Sequence, residues 1–388
     1  MPTRARRIAQ FGTTIFTEIN DLAQQHNALN LGQGKPDFDG PADIVDAFST
    51  ALHAGQYNQY APGRGAPALR QAVARHAGRS YDLDVDPATG VIVTPGATEA
   101  LFVSVMGLID LGDEVIVIEP FFDSYVPDII MAGGVPVYVP LRAPGWTLDP
   151  AELRAAFSEK TRAVMLNTPH NPTGRVFTHD ELSEIAALCQ EFDVIVISDE
   201  VYEHLLYDDA QHIPIASLPG MFERTVTIGS AGKSFGMTGW KVGWVYGPPE
   251  LVGGVLQAHQ FVAFAVNHPA QIAVARAFDM DAAYFDDYRA AYAHKRELML
   301  QAITAAGMQV VPPQGTYFAT ADFSPVFDGD DVAFAHHMIR HIGVAVIPPS
   351  FFYGEAHRHL GQTYTRFSFA KHDHILEEAA ERMAKLRR

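Results

Sequence analysis

Short β-branched apolar runs recur along the chain, each closed by small or polar residues. They are Val91-Ile92-Val93-Thr94, Glu114-Val115-Ile116-Val117-Ile118, Ala163-Val164-Met165-Leu166, Asp193-Val194-Ile195-Val196-Ile197 and Thr225-Val226-Thr227-Ile228. Runs this continuous suit strands buried on both faces. Helical patterns lie between them. One covers Thr98 to Leu111; another opens at Thr178, where Glu181 completes a capping box. The alternation predicts an α/β fold whose mostly parallel sheet is covered by helices. Sheets of this kind bind ligands at the carboxyl ends of their strands.

After about residue 270 the pattern changes. A long helical stretch is expected from about Ala270 to Ala306, followed by shorter α+β material. The expected organisation is an N-terminal arm, 1–40, joined to a small C-terminal domain, 271–388, with a large ligand-binding domain between them, 41–270. The chain's 388 residues suit two or three domains. No apolar run reaches the roughly 18 residues of a membrane span. Arg4, Arg6 and Arg7 are not followed by an apolar segment, so a secretory signal is not expected. The one cysteine, Cys189, permits no intrachain disulfide and fits a reducing, cytoplasmic setting. A net charge of −17 makes nucleic acid and anionic membranes poor partners, so any anionic ligand must be held by local groups.

The chemistry gathers at the strand ends. Thr225 to Ile228 delivers Lys233 within Gly229-Ser230-Ala231-Gly232-Lys233-Ser234-Phe235-Gly236. A lysine there is a phosphate clamp, an amine nucleophile or a solvated loop residue. The P-loop pattern fails, because its first glycine would fall at Thr227. The first run ends in Pro95-Gly96-Ala97-Thr98 and opens a helix, which reads equally as an anion site or an ordinary capped turn. The second ends at Phe121-Phe122-Asp123, where an aromatic either stacks on a planar ring or joins the core. The third ends in Asn167-Thr168-Pro169-His170-Asn171-Pro172-Thr173-Gly174, a forced turn that either presents Asn171 or is held by its own side chains. The fourth ends in Ser198-Asp199-Glu200-Val201-Tyr202, and a carboxylate directly behind an apolar strand needs a cationic partner.

Other classes fit less well. The 17 histidines show no H-E-x-x-H or comparable metal spacing, and His336-His337 and His357 read as solvated surface. No G-x-S-x-G is present for a serine hydrolase. One ligand satisfies the whole set: pyridoxal 5′-phosphate, a flat aromatic cation with a phosphate and an aldehyde. Lys233 would condense with the aldehyde, and Asp199 would pair with the ring N–H. Tyr202 and Asn171 would bond the ring oxygen, and Phe122 would stack on the ring. The Gly96-Ala97-Thr98 helix start, Ser230 and Lys241 would hold the phosphate.

At these residues the chain resembles the class I aminotransferases of pyridoxal-phosphate fold type I. The matching segments are Asn167 to Gly174, Ser198 to Leu205 and Ser230 to Trp244. More locally it is similar to the kynurenine aminotransferase, glutamine transaminase K and bacterial methionine aminotransferase group. That likeness rests on Asn30 to Phe38, Asn58-Gln59-Tyr60 and Glu114 to Tyr125, and the match spans about Phe16 to Phe369. The resemblance implies further roles. Arg366 matches the arginine that grips the substrate α-carboxylate. Tyr60 matches a tyrosine given to the neighbouring subunit's phosphate, implying a homodimer. Gly34 and Phe16 match substrate-pocket positions. Phe16 stands where the kynurenine enzymes carry tryptophan, and Thr98 where they carry an aromatic.

The activity so implied is ping-pong transamination between an apolar, aromatic or sulfur-containing L-amino acid and a 2-oxo acid. Catalysis would fall to Lys233, Asp199 and Tyr202. The alternatives on the same site are an N-succinyldiaminopimelate aminotransferase and a cysteine-conjugate β-lyase. A pyridoxal-phosphate-binding regulator without turnover would need a DNA-binding domain, and the first 40 residues are too few for one.

Overall fold

The computed structural model describes residues 4–280 and 282–387. Its strands among those residues are β1 Leu29–Asn30, β2 Val91–Thr94, β3 Glu114–Glu119, β4 Val135–Pro140, β5 Thr161–Asn167, β6 Ile195–Asp199, β7 Thr225–Ser230, β8 Gly243–Tyr246, β9 Gln309–Val310, β10 Phe318–Asp322, β11 Val344–Ala345 and β12 Tyr364–Ser368. Seven of them form one sheet in the order β2-β8-β7-β6-β5-β3-β4. β7, β6, β5, β3 and β4 pair in parallel, whereas β8 runs antiparallel to both of its neighbours.

The continuous apolar runs arise because both faces of this sheet are covered. Along β3, Val115 and Val117 enter one core while Ile116 and Ile118 enter another. β5 divides in the same way, with Ala163 and Met165 on one face and Val164 and Leu166 on the other. All five expected strands form. β6 begins at Ile195 rather than Asp193, because Asp193 adopts a left-handed φ of 53° that closes the preceding turn. β4 and β8 were not foreseen. β4 is partly exposed and contains prolines, and β8 lies in the Gly-Trp-rich stretch after Lys241.

The helices follow the periodicity with shifted ends. The first expected helix covers Gly96–Leu108, and the Thr178 capping box forms with both of its reciprocal bonds. The long stretch predicted from about Ala270 is not one helix but two, His268–Ala277 and Ala282–Ala305. The first ends where Phe278 turns into the core, its ring 5.2 Å from Trp244 and 5.5 Å from Phe235. Among the described residues no helix is long and apolar enough to cross a membrane.

A smaller antiparallel sheet places β10 between β9 and β12. The N-terminal arm is tied to this part of the chain, since β1 pairs in parallel with β11. Just beyond β1, the Leu31 carbonyl accepts the Ser368 N–H at 2.6 Å. This pairing carries the segment Gly32 to Lys35 alongside β12 and its arginine.

Candidate active site

The carboxyl ends of β3, β5, β6 and β7 open into a cleft of about 440 Å³ that the arm and β12 close from the other side. The register of β5 and β6 sets Asn167 opposite Asp199. Asn167 then donates from Nδ2 to the Asp199 carbonyl at 2.8 Å, and its Oδ1 accepts the Asn171 N–H at 2.7 Å. One amide thus locks both the strand end and the turn that presents Asn171.

Asp199 is buried, and its Oδ2 accepts the Tyr125 hydroxyl at 2.7 Å. Burial raises its carboxyl from 3.8 to about 6, opposed by the Tyr125 hydrogen bond, the Val201 N–H and the Lys233 charge. Tyr202 is buried beside it, and desolvation holds its phenol well above the ordinary value. Lys233 sits in the single turn Ala231–Ser234 that follows β7. Its Nζ donates to the Tyr317 hydroxyl at 2.6 Å, and that hydroxyl donates to the Gly34 carbonyl at 2.7 Å. Gly34 must be glycine for this contact, because a Cβ there would lie 2.7 Å from the Phe318 ring.

Arg366 faces this group from β12. It is 2% exposed, yet among the described residues no carboxylate pairs with it. Nη1 donates to Asn171 Oδ1 at 2.9 Å, Nη2 donates to the Gly32 carbonyl at 2.8 Å, and Nε has no partner. The guanidinium lies 4.1 Å from the Phe318 ring centre and 5.1 Å from that of Phe16. Burial lowers its pKa to about 10, so it keeps its charge at neutral pH. A buried cation with no carboxylate in contact is costly, and the arrangement is suited to an incoming carboxylate.

The opposite end of the cleft suits a phosphate. The helix Gly96–Leu108 turns its N-terminus inward, leaving its first N–H groups free for an anion. Lys241 Nζ lies 3.3 Å from Thr98 Oγ1, and burial together with the Lys233 charge lowers the Lys241 pKa. Gly96 has a φ of 77°, and a Cβ there would lie 3.1 Å from Lys241 Nζ. Ser230 and Phe122 line the same cleft. The donor set therefore fits pyridoxal 5′-phosphate at each of its ends: cations and N–H groups for the phosphate, a carboxylate for the ring nitrogen and an amine for the aldehyde.

The cleft unites every residue singled out in the sequence except Tyr60. That side chain is 82% exposed and packs edge-on against Phe264 at 5.6 Å, outside the cleft of its own chain. The expectation that His357 is solvated surface is corrected: its Nδ1 engages Glu119, which is fully buried. The histidines also cluster in a way that spacing concealed. His76, Glu203 and His204 bring their ligand atoms within 4.8 Å of one another. There Glu203 accepts from Tyr81 and lies 2.9 Å from His76, which makes the group a buried hydrogen-bond network. Sequence reasoning missed Tyr125, Tyr317, Asp123 and Lys35. Tyr125, Asp123 and Lys35 lay within quoted segments but were given no role; Tyr317 sits in Gly315-Thr316-Tyr317-Phe318, a glycine-led strand start that a search for close-approach turns would have flagged.

An amine, a deep carboxylate and an unpaired guanidinium around one cleft, on a seven-stranded sheet of this topology, are the apparatus of amino-group transfer with pyridoxal phosphate. The family described as Aminotransferase class I and II matches residues 26–383, and the chain belongs to that family. It is a pyridoxal-phosphate-dependent aminotransferase of fold type I. It is 43% identical over 98% of both chains to a probable N-succinyldiaminopimelate aminotransferase of Mycobacterium tuberculosis. It is 41% identical to human kynurenine–oxoglutarate transaminase 1, again over 98% of both chains. The solved structure of N-succinyldiaminopimelate aminotransferase from M. tuberculosis superposes with a TM-score of 0.95, covering 99% of this chain and 100% of that one. That of an Escherichia coli methionine aminotransferase gives 0.94 at 38% identity, covering 98% and 99%.

Proposed function

We propose that the protein transfers the amino group of methionine, an aromatic amino acid or glutamine to a 2-oxo acid. The observation that carries this reading is the unpaired, buried Arg366 across the cleft from Lys233, within walls formed by Phe16, Phe122 and Phe318. Arg366 takes the α-carboxylate that all amino acids share, by a planar bidentate pair. Among the described residues lining the cleft there is no second arginine for a side-chain carboxylate. Burying that group unpaired is costly.

Lys233 would hold the cofactor by its aldehyde carbon, and Asp199 would pair with its ring nitrogen. Tyr202 and Asn171 would donate to the ring oxygen. Gly96, Ala97, Thr98, Ser230 and Lys241 would hold the phosphate. When bound, pyridoxal 5′-phosphate supplies an electron sink for the electron pair left at the substrate Cα. Once the substrate amino group had displaced it from the aldehyde carbon, the freed Lys233 Nζ would take the proton from Cα as general base, with the Tyr317 hydroxyl, 2.6 Å away, holding the amine in position. Asp199, ionised, keeps a proton on the ring nitrogen.

Tyr60 supports a homodimer in which it reaches the phosphate site of the partner subunit. It stands exposed with Phe261 and Phe264, which are 87% and 52% exposed, an apolar patch suited to an interface. The chain divides at residues 40 and 270 into arm, large domain and small domain. The single buried cysteine suits the cytoplasm.

A second reading rests on Lys35. This exposed lysine lines the cleft beside Gly34 and makes no ion pair among the described residues. It favours a long substrate with a distal carboxylate, such as N-succinyl-diaminopimelate. The discriminating experiment compares kcat/KM for methionine, phenylalanine, kynurenine, glutamine, aspartate and N-succinyl-diaminopimelate with a common acceptor. If aspartate or the succinylated compound leads by more than tenfold, about 1.4 kcal/mol of transition-state preference, the apolar-pocket reading is wrong.

A further inference from the structure

Among the described residues two carboxylates line the cleft, Asp123 and Asp199. Asp199 is engaged by Tyr125 and Val201. Asp123 is not engaged: apart from its own backbone N–H, no donor among the described residues reaches its carboxyl group. It directly follows Phe122 at the end of β3, so the backbone that supplies an aromatic wall also supplies a charge beside it. Arg366 is the cation whose field Asp123 feels, and burial pushes the Asp123 carboxyl above its ordinary value. Asp128, on the next helix, is raised to about 7 by burial and then by the Asp123 charge, so it offers Asp123 no cation from that side.

We infer that Asp123 sets side-chain specificity, accepting a hydrogen bond from substrates that end in an N–H donor and repelling those that end in a carboxylate. The argument is one of charge balance. In the free enzyme, Arg366 offsets part of the Asp123 charge. Once a substrate α-carboxylate occupies Arg366, that offset is spent and Asp123 faces the side-chain space uncompensated. A terminal amide or arylamine N–H satisfies it. A terminal carboxylate places like charges together in a half-buried space, where screening is weak. The thioether of methionine neither donates nor repels. This inference deepens the proposed donor range and rests on it: glutamine enters as an N–H donor, and glutamate and aspartate are excluded by a named group rather than by apolarity alone.

The test uses the holoenzyme and Asp123→Asn, with Asp123→Ala as a second variant in case the first folds poorly. Calorimetric titration with glutarate and with glutaramate reads binding without turnover, since neither carries an α-amino group. The wild type is expected to bind glutaramate at least tenfold more tightly than glutarate. The ratio should fall at least fivefold in both variants. In parallel, the kcat/KM ratio of glutamate to methionine should rise about tenfold in Asp123→Asn. An unchanged glutaramate-to-glutarate ratio in a variant that still turns over methionine overturns the role of Asp123 and leaves the transaminase reading standing. Absence of turnover with every donor in the wild type would overturn that reading instead.

Discussion

Asp199→Asn is expected to stabilise the protein without cofactor while disabling the protein with it. In the free cleft the carboxylate has no cationic hydrogen-bond partner, and burial raises it from 3.8 to about 6. At about 1.4 kcal/mol per unit, keeping it ionised in the fold costs roughly 3 kcal/mol. Because the folded pKa is the higher one, the folded state holds the proton more tightly than the unfolded state. Stability therefore falls as pH rises from 3.8 to about 6, and the cost is fully present above that range. Asparagine carries no charge and can still accept the Tyr125 hydroxyl. Urea denaturation of the two apoproteins at pH 7.5 should show the variant more stable by up to about 3 kcal/mol, with about half that gain at pH 5. With cofactor the order reverses, because a neutral amide cannot hold the ring nitrogen protonated. Turnover should fall by orders of magnitude. A variant apoprotein less stable than wild type at pH 7.5, or a variant with near-normal turnover, would refute the reasoning.

Lys233→Ala should abolish turnover, and borohydride reduction of the wild type followed by peptide mapping should label Lys233 alone. Arg366→Lys should lower kcat/KM for every donor about a hundredfold, because an ammonium cannot form the planar pair; an effect confined to one donor would contradict a role at the shared α-carboxylate. Tyr317→Phe removes the partner 2.6 Å from the Lys233 amine and should cut kcat about tenfold with little change in cofactor affinity, read by equilibrium titration. Mixing Lys233→Ala with Tyr60→Ala chains should restore some activity, since one site of a mixed dimer carries neither defect; an active monomer in the ultracentrifuge would contradict the shared site.

The parts of the site that were legible in sequence are those in which one short segment carries both strand end and chemistry. Asn171, Asp199, Tyr202 and Lys233 each follow an apolar run within a few residues, so the parallel sheet alone brings them together. Arg366 required the family resemblance, because an arginine in a strand would ordinarily face solvent; here β12 packs beneath the arm and buries it. Tyr317 and Gly34 meet only through the pairing of β1 with β11, and no local pattern announces a contact between segments so distant in the chain. Asp123 stood in a quoted segment, but its lack of a partner is visible only once the surrounding side chains are placed. β8 was missed because Gly243-Trp244-Val245-Tyr246 is short and holds a single branched residue, whereas the other strands were found as branched runs, and the long C-terminal helix was misread because helical periodicity continues across the turn at Phe278.

The central claim is that one cleft removes an amino group from a donor and keeps it until a 2-oxo acid collects it. It is tested most directly by a half-reaction. The purified holoenzyme is mixed with ¹⁵N-methionine and no acceptor, the released 2-oxo acid is counted, and pyruvate is then added after desalting. The account predicts one equivalent of 2-oxo acid per subunit in the first step and ¹⁵N-alanine in the second. Release of several equivalents without acceptor, or alanine that carries no label, would contradict it.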